Sequence, residues 1–263
     1  MSEKLFHIFT YLLVVIIILP MIVLYYEVWP TGLAIAFEDS QFLESLNLTF
    51  LGAILATMLN VFLGTPVAYA LSRKIIKLES TLYDIFLSPV SIPHTVVGIM
   101  LLLTFSPSSP FYPLLKSINP VDDILGLSLA MFYVSSPIYI MSIKETFDKA
   151  DVELEYFIQS LGKDRYFIFE KVLIPEQFDS IIRIALLSLG RAISEFGSII
   201  IIIAYSVTFL PFFQYVKPVT VFIWYKYDVY GLSSALGYAA ALLTISLLIS
   251  FFIYALSRKN AQA

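Results

Sequence analysis

The sequence predicts an all-α membrane protein with six transmembrane helices and a short cytoplasmic helix between the fourth and fifth spans. Three observations carry that prediction. First, 59% of the 263 residues are hydrophobic, only 14% are charged, and mean hydropathy is +0.86. A soluble domain carries about 25% charged and about 45–50% apolar residues, so this much apolar surface needs lipid as its solvent. Second, six apolar stretches are long enough to cross about 30 Å of hydrocarbon at about 1.5 Å per residue. Third, the basic residues gather on one side of those stretches.

The stretches are 8–26, 47–71, 84–105, 124–143, 180–205 and 233–256. The first follows Lys4 as a signal peptide's apolar region would. Its run is long for that role, and no small-residue cleavage pattern follows Leu24-Tyr25-Tyr26-Glu27, so it reads as an uncleaved span. With the N-terminus cytoplasmic, the inner side collects Lys4, Arg73, Lys74, Lys77, Lys144, Lys149, Lys163, Arg165, Lys171, Arg258 and Lys259. The outer side has only Lys116, Lys217 and Lys226. That bias predicts a multi-pass protein of the cell membrane with both termini cytoplasmic. Trp29, Tyr25, Tyr26 and Trp224 fall at the outer edge, where aromatic belts sit. With no repeat, linker or low-complexity stretch, residues 1–263 read as one integral-membrane domain, its core at 47–256 and its cytoplasmic loop at 144–179.

Composition also excludes several functions. A net charge of −4 and a pI near 5.2 leave no basic stripe for nucleic acid. With no cysteine, and His7 and His94 the only histidines, neither thiolate chemistry nor a His-based metal site is expected, and no cofactor is implied.

Prolines interrupt the apolar stretches at Pro66, Pro89, Pro93 and Pro137. Each removes a backbone donor, which lipid tolerates only where neighbouring helices or cavity water satisfy the freed carbonyl. Either they kink the packing, or the third span is broken beside a pore.

The loop at 144–179 is the most informative segment. Leu154, Phe157, Ile158 and Leu161 recur at helical spacing and form one apolar stripe. Asp151, Glu153 and Glu155 load the first turn with charge that suits the helix dipole, and Gly162 closes it. A helix of about ten residues cannot span. Its stripe must lie on the membrane surface or dock into a groove on another protein.

The spacing from Gly162 to Pro175, within Ser160-Leu161-Gly162 … Lys171-Val172-Leu173-Ile174-Pro175, resembles the coupling-loop motif of ABC importer permeases of the type I fold. In that family the loop helix sits in a cleft on the ATPase subunit. The resemblance implies coupling roles for Glu155, Phe157, Leu161, Gly162 and Pro175. The family's usual Glu-Ala-Ala triplet falls here on Tyr156, Phe157 and Ile158, with Glu155 the nearest acid. Residues 63–73 (LGTPVAYALSR), 91–103 (SIPHTVVGIMLLL), 191–198 (RAISEFGS) and 217–236 look like the molybdate/tungstate branch. The pairing of Pro-His-Thr-Val-Val-Gly with Arg-Ala-Ile-Ser-Glu-Phe-Gly is most similar to the archaeal-type tungstate/molybdate permeases, and the Glu-Phe-Gly block is shared with sulfate permeases. The resemblance implies half of a translocation pathway working by alternating access, completed by a homodimer. It also implies a dimer of ATPase subunits and an extracytoplasmic oxyanion-binding protein that supplies most of the selectivity.

Arg191 and Glu195 fall near the middle of the fifth stretch, four residues apart. A charge at the bilayer centre costs about 2.5–3.5 kcal/mol on insertion scales, so the two are expected to pair on a protein-covered or wet face. The pair either locks the helix to its neighbours or lines the path, with Arg191 attracting a dianion and Glu195 holding the arginine. Ser194 and Ser198 beside it, and Ser91, His94 and Thr95 near the third span, are further path candidates. A lone His94 after Pro93 is more often packed than a ligand.

No Gly-x4-Gly-Lys-Ser/Thr phosphate loop occurs, so ATP hydrolysis is expected in a separate subunit and the chain itself is not expected to be an enzyme. The intramembrane protease reading lacks His-Glu-x-x-His and Gly-x-Ser-x-Gly. A secondary transporter would carry inverted repeats and a midplane ion site, and the two halves show no such symmetry.

Overall fold

Apolar residues run all round the first helix, α1 (Glu3–Val28), leaving it no polar face to turn to water. The computed structural model, which describes residues 3–118, 120–203 and 215–260, accordingly leaves most of α1 outside the packed body, with its side chains largely exposed until Val28 at its end is buried. A hydrogen bond of 2.8 Å between Tyr25 Oη and Thr244 Oγ1 ties its far end to the last helix.

After the short α2 (Gly32–Glu38), Asp39 caps α3 (Ser40–Leu59) by accepting the Gln41 N–H at 2.9 Å. Helix α3 runs through a π turn, Asn60–Gly64, into α4 (Thr65–Ser72), making one helix of 33 residues, long and apolar enough to cross a membrane. Pro66 explains the turn. Its ring lacks the N–H and would clash with the carbonyl four residues back, and a wider turn relieves both problems.

The next apolar stretch is not a straight helix. Helix α5 (Glu79–Leu87) ends in a 3₁₀ turn, Ser88–Val90, and α6 (His94–Thr104) leaves at 109° to it. Pro89 and Pro93 account for the break: each lacks an N–H, and Pro93 itself is extended, at φ −54 and ψ 131, where α6 begins. The third stretch is therefore bent, as a broken span or a re-entrant loop would be, whereas Pro137 lies inside one continuous helix.

Helix α7 (Tyr112–Leu115) is a single turn. Helix α8 (Ile124–Asp148), capped by the Asp123 side chain accepting the Leu125 N–H at 2.7 Å, is the central element. It continues five residues beyond the expected end of the fourth span. The loop that follows holds α9 (Val152–Ser160), α10 (Arg165–Ile168), a π turn at Phe169–Leu173 and α11 (Ile174–Glu176).

The expected fifth span, 180–205, is not one helix. Helix α12 (Phe178–Ile193) stops after 16 residues, and after a break α13 (Ile199–Ile202) resumes for a single turn. Helix α14 (Val219–Tyr230), which no apolar stretch announced, packs Val219, Val221 and Phe222 inward, and α15 (Leu232–Asn260) closes the described fold. Against the six spans expected, four helices among the described residues are long and apolar enough to cross a membrane, or five with the bent α5–α6 pair.

Three buried clusters hold the helices together. Phe42, Leu46, Val219, Phe222 and Ala241 join α3, α14 and α15 at one end. Leu48, Ala53, Leu127, Met131, Ile193 and Ile199 fill the middle. Leu71, Tyr139, Ile143, Phe147, Leu173 and Ile181 fill the end that carries α9. Lipid supplies no hydrophobic drive between helices, so close packing and hydrogen bonds must hold them. Asn60 provides such a node: its Nδ2 donates to Ser135 Oγ and Ser188 Oγ, both at 2.9 Å, joining the α3–α4 helix to α8 and α12.

Candidate functional site

Helix α12 ends at Ile193, and Arg191 and Glu195 sit on either side of that end. The break brings the α12 terminus against the start of α6, and five of the path candidates meet there. Glu195 is fully buried, and its carboxylate is saturated with donors. Oε1 accepts the backbone N–H and the hydroxyl of Ser198, both at 2.9 Å. Oε2 accepts from Arg191 Nη2 at 3.2 Å and lies 3.0 Å from His94 Nδ1. The other imidazole nitrogen, Nε2, lies 3.1 Å from Arg191 Nη2. Arg191 Nη2 is also 3.4 Å from Nδ1, so one guanidinium nitrogen touches both the imidazole and the carboxylate. Arg191 Nη1 also donates to Ser194 Oγ at 3.3 Å.

Such a cluster is what a buried carboxylate requires. Leaving water costs an ion several kcal/mol, which only pairing and full hydrogen bonding offset. The cluster is not sealed on every side: the Arg191 and His94 side chains remain 23% and 37% exposed, and Ser194 is exposed beside them. Gly98 makes the approach possible. A Cβ there would stand 2.6 Å from the Ser198 carbonyl oxygen and 2.7 Å from Ile201 Cβ, so only glycine lets α6 meet the segment around α13. Ser91 and Thr95 flank the cluster, both exposed, and neither side chain hydrogen-bonds to it. Thr220, not singled out from the sequence, fastens the break from α14 by donating to the Glu195 carbonyl at 2.8 Å.

The second group of candidates lies on α9. Asp151 caps the helix, accepting the Glu153 and Leu154 N–H groups at 2.9 and 3.3 Å. Gly162 follows it at φ +84, a left-handed conformation that suits glycine, and its N–H returns to the Gln159 carbonyl at 2.9 Å. Pro175 lies exposed in the first turn of α11. The faces of α9 are inverted relative to a soluble helix. Phe157 and Leu161 are 61% and 65% exposed, and Tyr156 is exposed with them, whereas Glu155 is buried.

Glu155 Oε1 receives Arg73 Nη2 at 2.6 Å and Arg73 Nε at 2.9 Å, and Tyr69 Oη donates to Oε2 at 3.4 Å. Arg73, in the sequence only one of the basic residues flanking a span, is thus its partner. Nothing in the spacing signals the pair, which stand 82 residues apart. Arg73 Nη1 further donates to Ser72 Oγ, whose hydroxyl donates to Asp148, itself paired with Lys144 at 2.7 Å. The end of α4, the end of α8 and α9 are therefore bound into one polar network.

No family model matches the chain. In fold it is similar to a chain in the crystal structure of a bacterial alginate ABC transporter in complex with alginate pentasaccharide-bound periplasmic protein. The TM-score is 0.61 at 19% identity, covering 98% of this chain and 96% of that one. In sequence it is 29% identical to a probable sulfate transport system permease protein, cysT, of Marchantia polymorpha, over 90% of this chain and 82% of that protein. It is 34% identical to the molybdate/tungstate transport system permease protein WtpB of Pyrococcus furiosus, over 82% of this chain and 78% of that protein. On that identity and coverage, the chain belongs to the family of molybdate/tungstate transport system permease proteins.

Proposed function

We propose that this chain is the membrane permease subunit of an ATP-driven importer of tungstate or molybdate, with sulfate the alternative cargo. The observation that carries the proposal is the cluster of Arg191 and His94 around the buried Glu195, where the break between α12 and α13 meets the start of α6. Charged groups at membrane depth belong to pathways more often than to packing, and non-helical backbone is tolerated there where it lines a cavity or is covered by protein. Arg191, Ser194, Glu195 and Ser198, with His94, Ser91 and Thr95, line the path in this proposal.

The bent α5–α6 pair and the interrupted α12–α13 segment bring the crossings to six in this reading, with both termini cytoplasmic. Two copies of the chain form the pathway. The exposed stripe on α9 is the surface offered to a separate ATPase subunit, since the described residues leave Phe157 and Leu161 mostly uncovered. An extracytoplasmic binding protein delivers the oxyanion on the opposite side. The alginate transporter of similar fold was crystallised with a periplasmic protein, which supports that part of the proposal.

The test is uptake of tungstate, molybdate and sulfate into vesicles carrying the chain with its ATPase and binding protein. ATP-dependent uptake that is lost without the ATPase, with tungstate or molybdate favoured, is expected. Sulfate preference would select the alternative cargo, and uptake independent of the ATPase would overturn the importer reading.

A further inference from the structure

We propose that Arg191, His94 and Ser198 form a seat for a tetrahedral oxyanion, and that the Glu195 carboxylate occupies that seat in this conformation. The proposal rests on the reading above, that the chain passes oxyanions, and it names where and how the ion is held.

The donor set carries the argument. A guanidinium nitrogen, an imidazole nitrogen, a backbone N–H and a hydroxyl all converge on one carboxylate, at 3.2, 3.0, 2.9 and 2.9 Å. Each is a group that binds sulfate-like oxyanions equally well, because the ligand atom in either case is a negatively charged oxygen. They come from two separate segments, α6 for His94 and the end of α12 with the break after it for the others, and they share the one anion. Holding two helices together would need a single pair. Four donors on a fully buried acid make an anion site with its own anion inside.

Exposure shows which side is open. Glu195 lies at the back, wholly covered, whereas Arg191, His94 and the exposed Ser194 stand in front of it. An ion arriving from the open side meets the cation and the hydroxyl first and the carboxylate last. With Glu195 in place, the Arg191 charge is already neutralised and an incoming dianion is held weakly. When the α12–α13 break shifts and the carboxylate withdraws, the same donors become free. A pathway needs contacts that let the ion leave, and an internal competitor supplies them without removing the cation.

The test is equilibrium dialysis of radiolabelled tungstate against the full-length chain in lipid nanodiscs. Glu195→Gln keeps the side-chain volume and removes the competing charge. It should bind tungstate at least about tenfold more tightly than wild type, a floor well under the repulsion between neighbouring unit charges. Adding Arg191→Gln to it should abolish the gain. Equal binding by Glu195→Gln and wild type would overturn the proposal, as would a gain that survives in the double variant. If Glu195→Gln does not elute as an intact species, wild type and Arg191→Gln are compared at millimolar tungstate. Weak saturable binding that only wild type shows supports the seat, and identical isotherms overturn it. The vesicle assay separates the two levels: normal ATPase-driven uptake with no gain in Glu195→Gln defeats the seat alone, whereas a clear gain with no ATP-driven uptake defeats the importer reading alone.

Discussion

Removing the Glu155 carboxylate should destabilise the protein out of proportion to the size of the side chain. In Glu155→Ala, Arg73 stays where it is, its side chain only 10% exposed, with the partner that faced it at 2.6 and 2.9 Å gone. Breaking a buried pair by deleting one member costs about 3–5 kcal/mol, because the remaining charge is stranded. The Ser72–Asp148 link leaves Arg73 a second acceptor route, which places the expected loss near the lower bound, about 3 kcal/mol. Replacing both members by apolar residues of similar length, Arg73→Met/Glu155→Met, strands no charge and frees only the long 3.4 Å contact of the Tyr69 hydroxyl, so it should fall within about 1 kcal/mol of wild type. The assay is reversible unfolding in mixed micelles by titration with SDS, followed by far-UV circular dichroism. A Glu155→Ala protein as stable as the double variant would refute the argument, since it would mean that the pair is solvated and worth no more than a surface bridge.

Four further outcomes follow from the geometry. Gly162→Ala should cost about 1–2 kcal/mol from the left-handed backbone alone, because nothing lies within 4 Å of the added methyl; an unchanged unfolding midpoint would contradict it. Gly162→Trp should insert and dimerise but fail to couple, and normal transport with an intact ATPase complex would count against docking through α9. Gly98→Val should lose about 1–3 kcal/mol, since the contacts waiting for its side chain include the Ser198 carbonyl, which cannot rotate away; SDS titration would reveal it. Burial pushes the Asp39 carboxyl up, but the Tyr238 hydroxyl at 2.6 Å and the Gln41 and Phe42 N–H groups outweigh it and hold the carboxyl below its ordinary value of 3.8. A carboxyl lowered by folding adds stability that is fully present above that value and is lost as pH falls through the depressed one. Tyr238→Phe should therefore flatten the acid limb of the stability profile, and an unaltered limb would show that the contact carries no linkage.

The membrane class was legible in composition, and most of the spans were legible as apolar runs, because lipid selects side chains one at a time and leaves that record in any window of about 20 residues. The π turn at Asn60–Gly64 and the bend at Pro93 were foreshadowed by Pro66, Pro89 and Pro93, although a proline marks where a helix is disturbed and not by what angle. The break after Ile193 was not legible. Residues 180–205 are apolar enough to read as one span, and what stops the helix there is the demand of Glu195 for donors from Ser198 and His94. Helix α14 was missed because Val219–Tyr230 mixes tyrosines, Lys226 and Asp228 with its apolar residues and resembles an interfacial loop.

Composition and spacing alone show that the chain lives in lipid, that Arg191 must find Glu195 or an equal partner, and that an amphipathic helix ended by a glycine lies between the fourth and fifth apolar stretches. These follow from local chemistry: burial cost per residue, a spacing of four on a helix, an acidic first turn and a glycine at the end. Only the tertiary structure decided which groups complete each charge. It brought His94 to a pair 97 residues away and set Arg73 against Glu155, turning the acid of α9 inward and its phenylalanine and leucine outward. The physical reason is that a buried ion takes its partner from whatever element packing sets beside it. That proximity depends on how broken helices cross, which no pattern along the chain records.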